Sequence, residues 1–166
     1  FVSALRRLCI PETRIVAVDL DARCETECRA AGATVFRHGD ILSVPLPALN
    51  AVDLAIGNPP FIAAEAIIRH LWAGLYEGAS ISFLLAITFW AGKNRWEPET
   101  GLYRVAPLRW IQPVTPRPYF GLDNDPKFEA AVFTWTKGWR GETSSPGPIV
   151  WNKKSRKDRG PGRSTP

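Results

Sequence analysis

The sequence predicts an α/β fold built on a mostly parallel, doubly wound sheet. Three observations predict it. Apolar runs rich in β-branched residues recur along the chain, they alternate with helical patterns, and several end in a carboxylate or carboxamide residue. Strands that helices cover on both faces have this near-continuous apolar character. We therefore expect a parallel sheet with helices on both sides.

The elements can be assigned in order along the chain. Residues 1–8 have helical periodicity, and this helix must stop before Pro11. Two further helices are predicted at 22–32 and 63–78, each closed by a glycine, Gly32 and Gly78. Strands are predicted at 14–21, 34–42, 52–58, 80–90, 101–114 and 127–139.

Charge and composition divide the chain into one domain and a tail. The chain has 166 residues, 45% of them hydrophobic, which suits a single globular domain over residues 1–151. The net charge of +5 comes entirely from residues 152–166, which hold six basic residues and one acid. That tail has no apolar residue to bury, so it is predicted to be disordered. It is either a solvated, solubilising tail or a tether to nucleic-acid phosphates.

The cysteine pattern argues against both a disulfide framework and a metal site. Cys9, Cys24 and Cys28 are an odd number, and neither His38 nor His70 lies at a metal-ligand spacing from them. We therefore interpret them as small buried thiols, expect no metal, and predict a reducing, cytoplasmic location. No apolar run reaches the length of a membrane span, because the longest is about 14 residues.

Polar residues follow the predicted strands at the places where they end. Asp19 and Asp21 close the first strand, Asp40 the second and Asn58 the third. In open α/β sheets, ligands bind outside the carboxyl ends of the strands, where an acid commonly accepts hydrogen bonds from ribose hydroxyls. Each Asp alone is equally consistent with a turn or a helix cap. Together they predict a polar rim that binds a ligand.

The third strand ends in the unusual stretch "IGNPPF", residues 56–61. Pro59 and Pro60 supply no N–H but keep their carbonyls, and a proline holds the residue before it in an extended conformation. Asn58 should therefore lie in a rigid corner with two acceptors, its side-chain oxygen and a prolyl carbonyl. Such a pair suits an –NH2 group that must be oriented, and Phe61 offers a face for a planar ring.

The stretch "GNPPF" resembles the catalytic motif of S-adenosylmethionine-dependent methyltransferases that methylate amino groups, written Asn/Asp-Pro-Pro-Tyr/Phe. Upstream, "VAVDLD" and "HGDIL" are similar to the ribose-binding and adenine-contacting segments of that family. Downstream, "PRPYFG" and "FEAAVFTWTKGW" look like the phage and bacterial DNA adenine-N6 methyltransferases. The resemblance covers about residues 1–150. It implies a Rossmann-like methyltransferase fold, whose mostly parallel sheet has an antiparallel strand near the C-terminus, and methyl transfer to the N6 amine of adenine in DNA.

The resemblance also implies roles for residues on the cofactor side. Asp19, with Leu20 beside it, would hold the ribose of S-adenosylmethionine. Asp40 would accept from the adenine amino group of the cofactor, with Ile41 packed on the adenine ring. Asn58 would lie between the cofactor and the target.

On the target side, the same resemblance assigns the amine and its base. Asn58 and the Pro59 carbonyl would accept from the target amino group, Pro60 would complete the motif, and Phe61 would stack on the base. Such a pocket requires the adenine to be flipped out of the duplex. The remaining wall would come from a downstream loop that includes Arg117, Pro118, Tyr119 and Phe120.

One part of the family pattern is missing from this sequence. In the family, a Gly-rich loop comes directly before a helix, and residues 1–7, "FVSALRR", resemble that helix. The chain also has no Met and begins with Phe1. The resemblance therefore implies an N-terminally truncated methyltransferase that lacks its first strand. We expect it to bind S-adenosylmethionine weakly.

Two alternatives share parts of this evidence. Methyltransferases that act on guanine N2 in RNA, or on glutamine in proteins, carry the same Asn-Pro-Pro motif. A non-catalytic nucleic-acid-binding module would also explain the basic tail, the absent glycine loop and the seven tryptophans.

Overall fold

Strands and helices alternate in the part of the chain that the structure, a computed structural model, describes: residues 1–8, 13–115 and 129–150. The helices are α1 Val2–Leu8, α2 Cys24–Ala30, α3 Leu46–Leu49, α4 Phe61–Gly74 and α5 Leu102–Val105. The strands are β1 Val16–Asp19, β2 Val35–His38, β3 Leu54–Gly57, β4 Ser80–Ala86, β5 Leu108–Thr115, β6 Ala130–Thr136 and β7 Ile149–Val150. Short 3-10 helices cover Ile41–Ser43, Ile87–Phe89 and Lys93–Trp96.

The main sheet has five strands in the order β3-β4-β6-β5-β7. β3 and β4 are parallel, as are β5 and β7, whereas β6 runs antiparallel to both of its neighbours. The predicted α/β fold, with parallel strands and an antiparallel strand near the C-terminus, is therefore confirmed. In the strand order, β6 inserts between β4 and β5, so the two sequential strands β4 and β5 are not neighbours.

The strands β1 and β2 form a separate parallel pair rather than part of one continuous sheet. Among the described residues, β1 pairs with β2 alone and β3 with β4 alone, so each has one edge without a strand partner. Both strands also leave apolar side chains accessible, with Val16 42% and Ile56 37% exposed. Strands of parallel sheets are usually buried, so β1 and β3 are less covered than is usual for such strands.

The core lies between α4 and the centre of the main sheet. Ile68 on α4, Ile81 on β4, and Phe133 and Trp135 on β6 are fully buried and belong to one cluster. The β4 side chains alternate, with Ile81, Phe83 and Leu85 buried and their neighbours half-buried. On that less buried face, paired hydroxyls join β4 to β6, Ser80 to Thr136 at 3.0 Å and Ser82 to Thr134 at 2.9 Å.

Some predicted element bounds were wrong. Helix α4 ends at Gly74 rather than Gly78, because the chain becomes extended at Leu75 before it reaches the glycine turn. Gly78 does adopt a left-handed φ of +96°, but in the turn that enters β4. The segment predicted as a strand from residue 101 begins instead with the short helix α5.

Gly74 generates a testable prediction about the packing of α3 on α4. A Cβ at this position would lie 2.8 Å from the Leu49 Cβ and 2.9 Å from the Leu46 carbonyl oxygen. We expect Gly74→Ala to lower the free energy of unfolding by about 1–3 kcal/mol, as overpacking does, although alanine is the better helix former. Urea unfolding measures this change.

Gly57→Ala is the matched control, since its Cβ would meet the Phe83 ring at an ordinary 3.6 Å. We expect this variant to be as stable as the parent chain or more stable. If the two alanine variants had equal stability, the described α3–α4 contact would be contradicted.

Candidate active site

The turn that joins β3 to α4 contains the "NPP" stretch. β3 ends at Gly57 and α4 begins at Phe61, so only three residues connect them. Pro60 is the N-cap with φ −54° and ψ 130°, and its carbonyl accepts a 2.9 Å hydrogen bond from the Ala63 N–H. Pro60 therefore caps the helix, and its carbonyl is occupied by the Ala63 N–H rather than available to a ligand.

Asn58 and Pro59 keep their acceptors available. The Asn58 side chain is exposed, and within the described part of the chain no residue donates a hydrogen bond to it or to the Pro59 carbonyl. The corner thus presents two acceptors on a backbone that two prolines restrict.

Phe61 is the first residue of α4 and keeps 40% of its surface exposed. Its position, three residues after Asn58, places an aromatic ring beside the acceptor corner. A planar base can stack on a ring of this kind while its amine is held by neighbouring acceptors.

Asp19 and Asp40 lie at the ends of the paired strands β1 and β2. Asp19 pairs in register with His38, and the Gly39 N–H donates to the Asp19 carbonyl at 2.9 Å. The Asp19 Oδ1 accepts a hydrogen bond from the Asp21 N–H at 2.8 Å, and the Asp40 Oδ1 accepts one from the Leu42 N–H at 2.9 Å. Both carboxylates are therefore turn formers, and each has a second oxygen left for a ligand.

A concavity of about 180 Å³ lies beside these strand ends, and its walls include Val18, His38 and Asp40. Leu20 is 70% exposed at the rim, and its carbonyl is hydrogen bonded at 3.0 Å by the His38 Nε2. Ile41 is half-buried and packs against the core cluster, so only part of its side chain can contact a ligand. Four of the five predicted cofactor-side residues are thus gathered at one end of β1 and β2, namely Asp19, Leu20, Asp40 and Ile41; the fifth, Asn58, follows β3.

Helix α4 connects this rim to the acceptor corner. The His70 Nε2 donates to the Val44 carbonyl at 2.9 Å, which fixes the turn after β2 on the helix that begins at Phe61. Ile41 and Val44 also pack on the cluster to which α4 contributes. The segment that carries Asp40 and Ile41 is therefore attached to the same helix that begins with Phe61.

An aromatic cluster that the sequence analysis did not identify follows β4. Trp90, Trp96 and Tyr103 contact one another with ring centroids 4.5–5.0 Å apart. The Trp96 Nε1 donates to the Trp90 carbonyl at 2.8 Å, and the Tyr103 hydroxyl donates to the Phe89 carbonyl at 3.3 Å. The aromatic residues in "WAGKNRWEPETGLY" were the sequence signal for this cluster, but their spacing follows neither a helical nor a strand period.

One ion pair and one hydrogen bond attach the segment that carries this cluster to α4. The Arg95 Nε lies 3.1 Å from the Glu65 Oε2, and the Arg69 Nη2 donates to the Thr100 carbonyl at 2.8 Å. Glu65 is four residues after Phe61 and hence on the same helical face. The cluster therefore lies on the side of the site next to Phe61.

The predicted target-side residues Arg117, Pro118, Tyr119 and Phe120 lie outside the described residues, as does the basic segment 152–166. The residues that flank the loop are described. Ala130 pairs with Ala86 at the end of β4, and the Ile87 N–H donates to the Glu129 carbonyl at 2.8 Å. Strand β6 therefore begins beside the carboxyl end of β4.

The described residues contain no group of three His, Cys, Asp or Glu side chains that could hold a metal ion. Cys24 and Cys28 are free and half-buried rather than fully buried as predicted, while Cys9 is not described. Burial, with help from nearby acids, raises the pKa of the Cys24 thiol. Within residues 1–8, 13–115 and 129–150, no helix has the length and apolar character needed to cross a membrane.

Comparisons with solved structures identify the fold. A predicted O-methyltransferase from Agrobacterium tumefaciens is 14% identical, with a TM-score of 0.60 over 90% of this chain and 73% of that chain. A putative class I S-adenosylmethionine-dependent methyltransferase from Listeria monocytogenes is 13% identical, with a TM-score of 0.55 over 90% of this chain and 52% of its own. A putative hemolysin from Lactococcus lactis is 12% identical, with a TM-score of 0.55 over 82% and 73%.

These similarities show a Rossmann-like fold of the class I methyltransferase kind, which the resemblance implied. At 12–14% identity they show the fold alone, and this chain spans between about half and three quarters of each structure. No family model and no curated protein matches the sequence.

The aromatic cluster predicts a pH dependence of stability. Burial raises the pKa of the Tyr103 phenol above its ordinary value. The folded protein therefore holds this proton more tightly than the unfolded chain, so the stabilisation is complete below pH ~10 and is lost as the pH rises beyond that. In urea unfolding from pH 8 to 11, we expect the parent chain to lose stability more steeply than Tyr103→Phe. Parallel pH profiles would contradict the burial of this hydroxyl.

Proposed function

We propose that this protein transfers a methyl group from S-adenosylmethionine to the exocyclic N6 amine of adenine in DNA. The observation that carries the proposal is the corner after β3. It presents two acceptors with no hydrogen-bond donor among the described residues, Asn58 and the Pro59 carbonyl, beside the exposed ring of Phe61. An adenine offers a planar ring and an –NH2 group, and it matches this arrangement.

The described residues fit part of the methyl donor. Asp19 and Asp40 each have a carboxylate oxygen left after forming their turns, and Asp40 lines the concavity beside β1 and β2. These groups suit ribose hydroxyls and an adenine amine. Before Gly32 the described chain contains no glycine, so no Gly-rich loop is present there to hold the methionine part.

In the proposed reaction, S-adenosylmethionine supplies a methyl group on a positively charged sulfur. Asn58 and the Pro59 carbonyl each accept a hydrogen bond from the adenine amine, which holds the nitrogen lone pair in line with that methyl group. These acceptors also stabilise the positive charge that develops on the nitrogen, until one proton passes to solvent. The sulfur of the donor would keep the electron pair of the broken carbon–sulfur bond and leave as a neutral thioether. Phe61 keeps the flipped base in place by stacking, so no covalent bond to the protein is needed.

The acceptor corner recognises a planar amine and therefore does not by itself select DNA. Guanine N2 in RNA and the amide of a protein glutamine present the same group. DNA adenine is proposed because residues 116–121 and 128–139 resemble DNA adenine-N6 methyltransferases, although residues 116–121 lie outside the described residues.

Asn58→Ala is expected to reduce methyl transfer to DNA by about a hundredfold or more, as removal of one preorganised hydrogen-bonding group commonly does. The measurement is transfer of a radiolabelled methyl group to DNA, with the protein in excess and the cofactor at millimolar concentration. The cofactor affinity should stay close to that of the parent chain, because the cofactor carboxylates are Asp19 and Asp40.

Asn50→Ala is the matched control, since Asn50 is exposed and lies before β3, at the opposite end of that strand. Undiminished transfer by Asn58→Ala, or an equal loss in both variants, would refute the role of Asn58. RNA and protein acceptors are assayed in parallel, and preference for either of them over DNA would refute the proposed substrate.

Cofactor binding by the 166-residue chain is expected to be weak. The described residues provide acceptors for the ribose and adenine of S-adenosylmethionine but no glycine loop for its methionine part. Calorimetry should therefore give an affinity no better than about millimolar. Tight, stoichiometric binding would contradict this expectation and would show that the described residues suffice.

A further inference from the structure

We propose that Trp96, with Lys93 and Asn94 beside it, forms a stacking site for a nucleobase that neighbours the target adenine in the DNA strand. This inference rests on the proposed function, because it assigns a second contact to the same substrate. It concerns a surface to which neither the sequence motif nor the fold assigns a role.

The position of Trp96 follows from its contacts. The 3-10 helix Lys93–Trp96 comes after the carboxyl end of β4, which is the strand next to β3 in the sheet. Through Arg95 and Glu65, this helix is attached to the face of α4 that begins with Phe61.

Trp96 is exposed but held in place. Half of its side-chain surface is accessible, whereas Trp90 and Tyr103 behind it are partly buried against the core. Its indole N–H is used by the Trp90 carbonyl, and its ring meets the Trp90 ring edge-on at 87°. The remaining surface is therefore a preorganised apolar ring with no donor left to satisfy. A nucleobase can cover such a ring whatever its sequence, because every base has a π-face.

A concavity of about 260 Å³ lies at the same 3-10 helix, with walls that include Glu65, Lys93 and Asn94. Lys93 and Asn94 are exposed, so an ammonium group and an amide are available to the edge of a base or to a phosphate. The volume is somewhat below that of ordinary ligand pockets, which suits a single heterocycle better than a larger molecule.

The charge around Trp96 distinguishes stacking from simple phosphate attraction. Arg95 is paired with Glu65, and the exposed acids Glu97 and Glu99 offset the nearby cations Lys93 and Arg104. A nearly neutral surface of this kind attracts DNA poorly by charge alone. The contribution of Trp96 to affinity should therefore depend little on salt, whereas each phosphate contact makes binding salt-dependent.

The test measures the affinity of the 166-residue chain for an adenine-containing single-stranded DNA oligonucleotide, without cofactor, at several salt concentrations. We expect Trp96→Ala to weaken binding about tenfold at every salt concentration, and Trp96→Phe to retain most of the affinity because it keeps an aromatic face. DNA should also quench tryptophan emission less in Trp96→Phe than in the parent chain. Lys93→Gln should instead reduce the salt dependence, by up to one phosphate contact.

Tyr76→Ala is the matched control, since Tyr76 is similarly exposed but follows the far end of α4, about 20 Å from Phe61. Unchanged affinity in Trp96→Ala, or the same loss in Tyr76→Ala, would overturn the inference. Preferential binding of a peptide or protein at Trp96 would overturn it as well.

The inference and the proposed function can fail separately. Binding that depends on Trp96 without any methyl transfer to DNA would refute the function alone. Transfer that depends on Asn58, combined with unchanged affinity in Trp96→Ala, would refute the stacking site alone.

Discussion

The turn from β3 into α4 is the constraint on which the rest of the site depends. Two consecutive prolines remove two backbone donors and restrict two φ angles, so the strand stops at Gly57 and the helix starts at Phe61. The Pro60 carbonyl accepts a hydrogen bond in the first turn of the helix. The Pro59 carbonyl and the Asn58 side-chain oxygen accept none from the described residues. A single short turn thus fixes the acceptors, the aromatic ring and the direction of α4.

Helix α4 then arranges the other parts of the site around that turn. On one side, His70 fixes the segment that follows Asp40. On the other, Glu65 and Arg69 hold the segment that carries Trp96. The same helix also buries Ile68 and Leu71 in the core, so the packing that stabilises the domain positions both halves of the site.

The sequence was most informative where one residue type has few structural options. Asn58 and the two prolines could be placed after β3, and Asp19 and Asp40 at the carboxyl ends of β1 and β2, because prolines and strand-end turns restrict the backbone strongly. The strand order could not be predicted from this sequence, since the insertion of β6 between β4 and β5 depends on long-range pairing. The separation of β1 and β2 from the main sheet was likewise not anticipated, because no local pattern specifies which edges pair.

The aromatic cluster escaped prediction for a different reason. Trp90, Trp96 and Tyr103 come together through a chain reversal and through contacts with α4, which no periodicity in residues 87–105 encodes. Helix α5 was mistaken for strand because four residues are too few to show a helical period. In both cases tertiary contacts, rather than local preference, determine the structure.

The central claim is that the corner formed by Asn58 and Pro59 acts on an exocyclic amine of adenine. The most direct measurement is mass spectrometry of the nucleosides released from DNA after incubation with the protein and a methyl donor that carries a deuterated methyl group. The account predicts that the deuterated methyl appears on N6 of deoxyadenosine. Label on a ring carbon of cytosine, on an oxygen atom, or only on RNA or protein would contradict it.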